Sequence, residues 1–380
     1  MNKNQQFKYQ VIIDFLQGNL RQTEAAELLH ISRRTVTRLA RRIEARGFLG
    51  VIHGNKGKPA RNRISDEHKT KVMAIFREKY FDCNMTHAHE LLLLEQNIEV
   101  SYGTFRRWCS SMEVVKQRRR RKRARVFCPR MPAEGMLLQL DGSPHRYNGK
   151  DEWCLIGAID DATSDIPYAE FFRSEDTISC MKVLKKIIEL KGIPYAIYTD
   201  HAGWFGGLKR QNSSQFKRAC EELGIHVIFA HTPESKGRIE RAWKTIQDRI
   251  IPELRMLNIE TIDRASSHLQ ETFLKNYWGK KNKVAPRSSQ NKYRRLSGTT
   301  DLNQIFCLKE YRVIRGDRTV SWNNKIYLVK DADKLSVPNQ RIEIRTYIDY
   351  SWRAFFAGNP IQLSPLVANN EINRDSEVAA

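Results

Sequence analysis

The sequence lacks the features that would place it in a membrane or in an oxidising compartment. No apolar run approaches the length of about 20 residues that a bilayer-spanning helix needs, and no signal peptide is recognisable. The seven cysteines are scattered and never spaced as CxxC, which argues against a disulfide framework and a thiolate zinc site. We therefore expect a cytoplasmic protein with reduced, mostly buried thiols and no membrane partner.

Acidic residues are also scarce, above all in the first third of the chain. The 380 residues include 65 Lys and Arg against 43 Asp and Glu, which gives a formal net charge of +22 and a pI near 9.8. Residues 1–130 hold 28 of the basic and 12 of the acidic residues, and so contribute +16 of that charge. A positive field of this size attracts polyanions, so we expect a nucleic acid as the partner and a nucleoid-associated location.

Residues 1–52 follow the plan of a helix-turn-helix domain. Apolar residues recur at helical spacing as far as Gly18, a short helix follows, and a basic helix begins after Ser32 and ends at Gly47. In such domains the last helix enters the major groove of DNA. The alternative is a plain helical hairpin with a solvated basic face. Five residues of the outer face are expected to contact DNA: Arg33, Arg34, Thr37, Arg38 and Arg41.

Two further segments also suit DNA. Residues 65–115 predict three helices that resemble a second, degenerate helix-turn-helix domain, and the last helix carries Arg106 and Arg107. Residues 116–131 form a basic linker with nine positive charges and no acid. Such a run cannot pack against itself, so we expect it to lie along a DNA backbone. Its expected phosphate contacts are Arg119, Arg120, Arg121 and Lys122.

Residues 132–275 predict an α/β core. Three strands, at 136–141, 152–160 and 166–172, are followed by a helix, a strand, a helix, a strand and a final helix, and a polar hairpin connection joins the first two strands. This is the element order of a ribonuclease-H-like core. Three acids occupy informative places: Asp141 and Asp200 end apolar strands, and Glu240 lies early in the final, amphipathic helix. Together they would supply hard oxygen ligands for divalent metal.

Spacing leaves a second candidate for the third acid. Glu234 lies closer to Asp200 than Glu240 does. The helical pattern separates them, because Glu240 falls at the edge of the buried stripe whereas Glu234 precedes the helix. We therefore predict Glu240 as the third ligand. The adjacent acids Asp160 and Asp161 are interpreted as turn and structural residues.

These residues resemble the DDE transposases of bacterial insertion sequences, nearest the ISNCY type, whose catalytic core is that of the retroviral integrases. Asp141, Asp200 and Glu240 stand at the triad positions, and Pro233, Ser235 and Gly237 complete the P-x-S-x-G-x-x-E pattern around the glutamate. The interval from Asp200 to Glu240 is longer than the family usually has, which implies a small insertion at 203–212. His201 stands where many relatives carry Asn.

The resemblance implies a DNA transposase that binds the terminal inverted repeats of its element and catalyses strand cleavage and strand transfer into target DNA. It implies two Mg²⁺ (or Mn²⁺) ions held by the three carboxylates, and a homo-oligomer that pairs two DNA ends. Two other functions stay open: a stand-alone nuclease of the same fold, and a non-catalytic DNA-binding regulator descended from a transposase. Basic residues near Glu240 are expected to hold the phosphate backbone: Lys236, Arg238, Arg241 and Lys244.

The last part of the chain predicts a small β domain. After a basic, aperiodic connector at 276–296, residues 311–357 alternate polar and apolar positions, which indicates a small β-barrel at 305–360. Residues 365–380 are expected to be a disordered tail. The predicted turns are Asn323-Asn324 and Gly358, and the aromatics assigned to the barrel core rather than to base stacking are Trp322, Tyr327 and Trp352. The sequence thus predicts a multidomain protein.

Overall fold

The computed structural model divides the chain into two units, Met1–Met73 and Ala74–Ala380. None of the helices it describes has both the length and the apolar character to span a bilayer. The described residues are 3–55, 57, 63–112, 129–199, 214–229, 237–330 and 339–366.

The first unit contains the predicted helix-turn-helix. Its helices are α1 (Lys3–Leu16), α2 (Gln22–Leu28) and α3 (Arg33–Arg46). Ser32 caps the start of α3, because its hydroxyl accepts a hydrogen bond from the Thr35 N–H at 3.3 Å. The three predicted helices are confirmed. Their shared core is apolar and includes Val11, Ile12, Ala25, Val36, Leu39 and Ile43.

Three more helices follow: α4 (Asp66–Lys79), α5 (Met85–Leu94) and α6 (Tyr102–Ser111). Helices α5 and α6 are each capped by a polar side chain, Asn84 and Ser101, that accepts a backbone N–H of the first turn. The three predicted helices between residues 65 and 115 are therefore present.

A five-stranded sheet forms the centre of the second unit, in the order β3-β2-β1-β4-β5. Strands β1, β2 and β3 are antiparallel neighbours, whereas β1 pairs with β4, and β4 with β5, in parallel. The element order confirms the prediction for the core. The strands are β1 (Leu138–His145), β2 (Trp153–Asp160), β3 (Tyr168–Phe172), β4 (Ala196–Thr199) and β5 (His226–Phe229).

Helices cover both faces of this sheet. On one face α7 (Thr177–Lys191) and α8 (Gln215–Glu222) share a hydrophobic cluster with alternate residues of β1 and β2. On the other face α9 (Gly237–Met256) and α10 (Ile262–His268) form a second cluster with the remaining strand residues. A strand sends alternate side chains to opposite faces, so β2 contributes to both clusters.

Two predicted connections differ from the structure. The polar segment after Asp141 is not yet a turn, because β1 continues to His145 and pairs with Trp153. Strand β1 pairs with β4 only at Leu138 and Gln139. The edge of β1 that faces away from β2 is therefore unpaired at Pro144, and proline, which has no backbone N–H to donate, is tolerated there.

The predicted connector at 276–296 likewise begins as helix. A π-helix at Leu269–Trp278 and the short α11 (Gly279–Lys281) extend α10. The Trp278 indole N–H donates to the Ser164 carbonyl at 2.9 Å within the core, and this tertiary contact fixes the extra turns. Packing of the core therefore continues past residue 275.

The C-terminal strands form two small sheets around one core. After the short helix α12 (Leu302–Ile305), the sheets have the orders β11-β10-β9-β6 and β12-β8-β7. In the described residues they do not join into a closed barrel. The strands are β6 (Cys307–Val313), β7 (Thr319–Trp322), β8 (Lys325–Val329), β9 (Arg341–Tyr347), β10 (Trp352–Phe356), β11 (Asn359–Ile361) and β12 (Leu363–Pro365).

The predicted turns and core aromatics of this region are confirmed. Asn323 and Asn324 have positive φ values of 48° and 57° in the two-residue connection of β7 and β8, as a type I′ turn requires. Trp322 and Tyr327 are buried, and the Trp352 ring lies 4.9 Å from Trp322 and 5.4 Å from Tyr327. The predicted tail beyond Leu366 lies outside the described residues.

Candidate active site

Helix α3 presents an exposed basic face in the first unit. Arg33, Arg34, Arg38 and Arg41 are exposed, whereas Thr37 is half-buried and its hydroxyl accepts a hydrogen bond from Gln22 at 2.7 Å. This bond ties α2 to α3. A groove of about 660 Å³ runs along the helix and is lined by Arg34, Thr37, Arg38, Arg41, Arg42, Ala45 and Arg46.

The other expected DNA contacts fall into two groups. Arg106 and Arg107 are exposed on α6, and the Arg107 guanidinium also hydrogen-bonds the Gly103 carbonyl within its own helix. Five expected DNA contacts lie outside the described part of the chain: Arg119, Arg120, Arg121, Lys122 and Lys236. The same is true of Asp200 of the predicted triad, and of Pro233, Glu234 and Ser235, which precede Glu240 in the sequence.

Asp141 lies on β1, on the face of the sheet that α9 covers. Gln139 and Ser143, two residues to either side on the same face, both contact that helix. Gln139 Oε1 accepts a hydrogen bond from the Ile239 N–H at 3.3 Å, and Ser143 Oγ accepts one from Gln247 Nε2 at 2.8 Å. Asp141 is half-buried between these two contacts.

Glycine at the neighbouring position lets the helix approach Asp141. Gly157 of β2 is the cross-strand partner of Asp141 and shares its face. A Cβ atom at Gly157 would lie 2.9 Å from Cη2 of Trp243 and 2.6 Å from Cβ of Ala169. The indole of α9 therefore lies directly on the sheet beside Asp141.

Glu240 lies in the first turn of α9 and is exposed. Residues three or four apart share a helix face, so Glu240 follows the same side as Trp243 and Gln247. Ile239 contacts Gln139, and Gln247 contacts Ser143. The two helix residues are about 10 to 12 Å apart along α9, and the two strand residues are about 13 Å apart along β1. The two elements therefore run alongside each other in the same direction. Glu240 therefore lies nearly level with Gln139, within about one helical turn of the level of Asp141.

One further acid lies against β1, on the face of the sheet opposite to Asp141. A Cβ atom at Gly142 would lie 2.2 Å from Oε2 of Glu175, so this carboxylate rests against the backbone next to Asp141. Burial, together with the negative charges of Glu175 and Asp141, raises the pKa of the Cys154 thiol to about 12. Glu175 lies in the loop before α7, where no periodicity marks it.

Asp160 and Asp161 have the structural roles that the sequence indicated. Asp160 is buried and accepts hydrogen bonds from the backbone N–H groups of Gly135, Ala162 and Thr163. Burial raises its pKa above the ordinary value, although these hydrogen bonds act against that rise. Asp161 is bound in the same way by Met131 and by side chains of β1 and α9.

The basic residues of α9 divide by exposure. Arg241 and Lys244 are exposed, and Arg241 Nε donates to the Gly237 carbonyl at 2.6 Å. Arg238 is mostly buried and forms an ion pair with Asp161 at 2.6 Å. Arg130, at the end of the predicted linker, is also drawn into the core, where it donates to the Ser164 hydroxyl at 2.7 Å.

The described residues supply hard oxygen donors but no complete metal cluster. Within them, no group of three or more His, Cys, Asp or Glu is arranged to hold a metal ion. Asp141 and Glu240 are carboxylates of the kind that Mg²⁺ prefers. Asp200, the second predicted ligand, follows Thr199 at the end of β4, a strand that lies next to β1.

Comparison with known proteins identifies the family. A helix-turn-helix domain family matches residues 7–60. The chain is 31% identical over 351 residues to a protein of Sinorhizobium fredii that carries the transposase name y4bF, covering 90% of this chain and 76% of that protein. It is 26% identical over 375 residues to the transposase for insertion sequence IS1202 of Streptococcus pneumoniae, and the match covers 87% of this chain and 79% of that transposase.

Solved retroviral structures resemble the chain more loosely. The HTLV-2 integrase catalytic core domain in complex with magnesium is 19% identical and covers 37% of this chain and 89% of its own, with a TM-score of 0.29. A simian T-cell lymphotropic virus intasome is 13% identical in sequence, and the match covers 79% of this chain and 99% of the intasome chain, with a TM-score of 0.35. The assignment rests on the sequence relatives: the chain belongs to the insertion-sequence transposases.

Proposed function

We propose that this DNA transposase cleaves and joins DNA strands at a DDE site formed by Asp141, Asp200 and Glu240. The observation that carries the proposal is the pair of contacts by which α9 is fastened to β1 on either side of Asp141. They bring the strand of the first acid and the helix of the third together. Asp200 would join them from the end of β4.

The proposed cofactor is a pair of Mg²⁺ or Mn²⁺ ions held by these carboxylates. When bound, the ions would supply an activated water or DNA 3′-hydroxyl and stabilise the leaving oxygen in an in-line displacement at phosphorus. The protein would hold the ligands in place and bind the phosphate backbone through exposed Arg241 and Lys244. No side-chain nucleophile is needed for this chemistry.

DNA recognition is assigned to the N-terminal part of the chain. The exposed basic face of α3 suits major-groove contacts at the terminal inverted repeats, and α6 with the basic linker would add contacts along the backbone. Two ends must be brought together for transposition, so we propose a homo-oligomer on DNA. The two C-terminal sheets, packed on one core, are proposed to form a small barrel.

The test of the catalytic assignment combines two variants. Asp141→Asn and Asp200→Asn should each abolish cleavage and joining of end DNA while leaving repeat binding nearly intact, because the recognition helices lie elsewhere in the chain. Substantial Mg²⁺-dependent joining by either variant would refute the assignment. Cleavage by the native protein without joining would indicate a nuclease, and repeat binding without cleavage would indicate a regulator.

A further inference from the structure

A buried carboxylate lies behind the candidate site and is bound from three directions. Asp161 Oδ1 accepts hydrogen bonds from Arg238 Nε at 2.6 Å and from Gln139 Nε2 at 2.9 Å, and Oδ2 accepts one from the Met131 N–H at 2.7 Å. Only 6% of the Asp161 side chain is exposed. Burying a carboxylate is costly without such partners, so these bonds hold it in one orientation.

The Gln139 amide connects this carboxylate to the start of α9. Its Oε1 accepts the Ile239 N–H at 3.3 Å. Ile239 lies in the first turn of the helix, where backbone N–H groups have no partner within the helix. The amide has only one orientation that suits both neighbours, because Asp161 accepts only from its NH₂ and Ile239 donates only to its oxygen. A strand side chain therefore caps the helix.

The elements joined by Gln139 carry two of the proposed catalytic acids. Asp141 follows two residues later on β1, and Glu240 directly follows Ile239 on α9. We propose that Gln139, Asp161 and Arg238, here called the Asp161 network, are positioning residues that set Glu240 relative to Asp141. This inference rests on the proposed function, because it requires both acids to serve one site.

A second contact holds the helix further along. Gln247 Nε2 donates to Ser143 Oγ, and the Tyr147 hydroxyl donates to the Ser143 carbonyl at 3.1 Å. The apolar side of α9 is also buried against the sheet. Loss of the Gln139 bond would therefore displace the first turn, with Glu240, without releasing the whole helix. Misplacement of a ligand then lowers the rate of reaction more than it lowers stability.

Arg238 allows two interpretations to be separated. If Arg238 contacts DNA, its removal would raise the DNA concentration needed for a half-maximal rate. If Arg238 is a positioning residue, its removal would lower the maximal rate and weaken metal binding, while the DNA concentration needed for a half-maximal rate would not change. The ion pair with Asp161, formed by an arginine whose side chain is 15% exposed, favours the second interpretation.

The experiment uses the full chain with Gln139→Met, which removes both hydrogen bonds at similar volume. Gln270→Met is the matched control, because Gln270 bonds the Ala169 carbonyl of β3 at 3.1 Å on the same side of the sheet. Arg238→Met and Arg238→Lys form a second pair. The readouts are Mn²⁺ binding without DNA, followed by the electron paramagnetic resonance of free Mn²⁺, and the single-turnover rate of strand joining.

We expect Gln139→Met and Arg238→Met to weaken Mn²⁺ binding and to slow joining, each roughly 10- to 100-fold. Raised Mn²⁺ should partly restore joining, Arg238→Lys should recover part of the loss, and Gln270→Met should match the native protein. The network is overturned if Gln139→Met matches Gln270→Met in both readouts, or if Arg238→Met changes only the DNA requirement. Native joining by Glu240→Gln would instead refute the proposed function.

Discussion

At the scale of single residues, the absence of a side chain at Gly157 is as important as the acids themselves. The position faces α9 beside Asp141, and the space that a side chain would need is taken by Trp243 and Ala169. Backbone and packed ring atoms yield less readily than flexible side-chain ends. The separation between β2 and α9 therefore depends on this glycine.

Gly157→Ala should displace the first half of α9 and with it Glu240. Overpacking of this kind costs about 1–3 kcal/mol, and we expect joining to fall by roughly tenfold or more while repeat binding is unchanged. Strand-joining rates and thermal unfolding of the variant measure both effects. Gly298→Ala is the control, because a Cβ atom there meets nothing within 4 Å. Equal joining by the two variants would contradict the close packing of α9.

At the scale of elements, α5 is fastened to the second half of α9 by charged groups. Glu253 of α9 hydrogen-bonds His268 Nε2 at 2.9 Å and lies 3.3 Å from His87 Nε2 on α5. Nearby, Arg249 pairs with Glu90 at 2.8 Å. Burial by itself would raise the pKa of Glu253, but the hydrogen bonds from His268 and His87 outweigh burial and hold that pKa below its ordinary value.

The sign of the resulting pH dependence follows from this lowered pKa. A carboxylate with a depressed folded-state pKa stabilises the fold above its unfolded-state pKa, and this stabilisation is lost as pH falls through the folded-state value. Glu253→Gln should lower the free energy of unfolding at pH 7 by about 1–3 kcal/mol. The difference from the native protein should shrink below the ordinary pKa of 4.5.

Chemical denaturation between pH 3 and pH 7 measures this difference. Glu271→Gln, which changes an exposed glutamate of the π-helix, is the control. Equal stability of the two variants at neutral pH would show that the Glu253 cluster does not fasten α5.

The elements that the sequence predicted well are those whose signals are local. Ser32 and Gly47 bound α3 through their own caps, and Asn323-Asn324 forms its turn without distant partners. The errors arose where distant residues decide the outcome. Trp278 extends a helix through its bond to Ser164, and β1 runs on to His145 because β2 pairs with it.

The candidate site shows the same division. Asp141 and Glu240 could be selected because one ends an apolar run and the other lies on a helix face. The Asp161 network could not be selected, since its importance comes from contacts between segments up to 100 residues apart in sequence.

At the scale of the whole molecule, charge and chemistry are separated along the chain. Residues 1–130 hold +16 of the net charge of +22, whereas the proposed acids follow them. This arrangement predicts that DNA binding is lost steeply with salt, by about 0.9 log units per phosphate contact for each tenfold rise in salt concentration. Binding and catalysis should therefore be separable by mutation.

Two arginines distinguish the kinds of DNA contact. Arg34→Ala should reduce the preference for the terminal repeat over unrelated DNA, because Arg34 is exposed along the groove of α3. Arg120→Ala should weaken binding to both DNAs alike and lower the salt slope by about one. Titrations of repeat and unrelated duplexes at several salt concentrations measure both effects. Equal losses on both duplexes for Arg34→Ala would contradict the recognition role of α3.

The central claim is that Glu240, carried by the helix fastened to β1, completes the catalytic site with Asp141. Strand joining by Glu240→Gln and by Glu234→Gln, with end DNA and Mg²⁺, tests it most directly, because the two glutamates lie six residues apart in the sequence. We expect Glu240→Gln to eliminate joining and Glu234→Gln to retain most of it. Loss of joining in Glu234→Gln with retention in Glu240→Gln would contradict the claim.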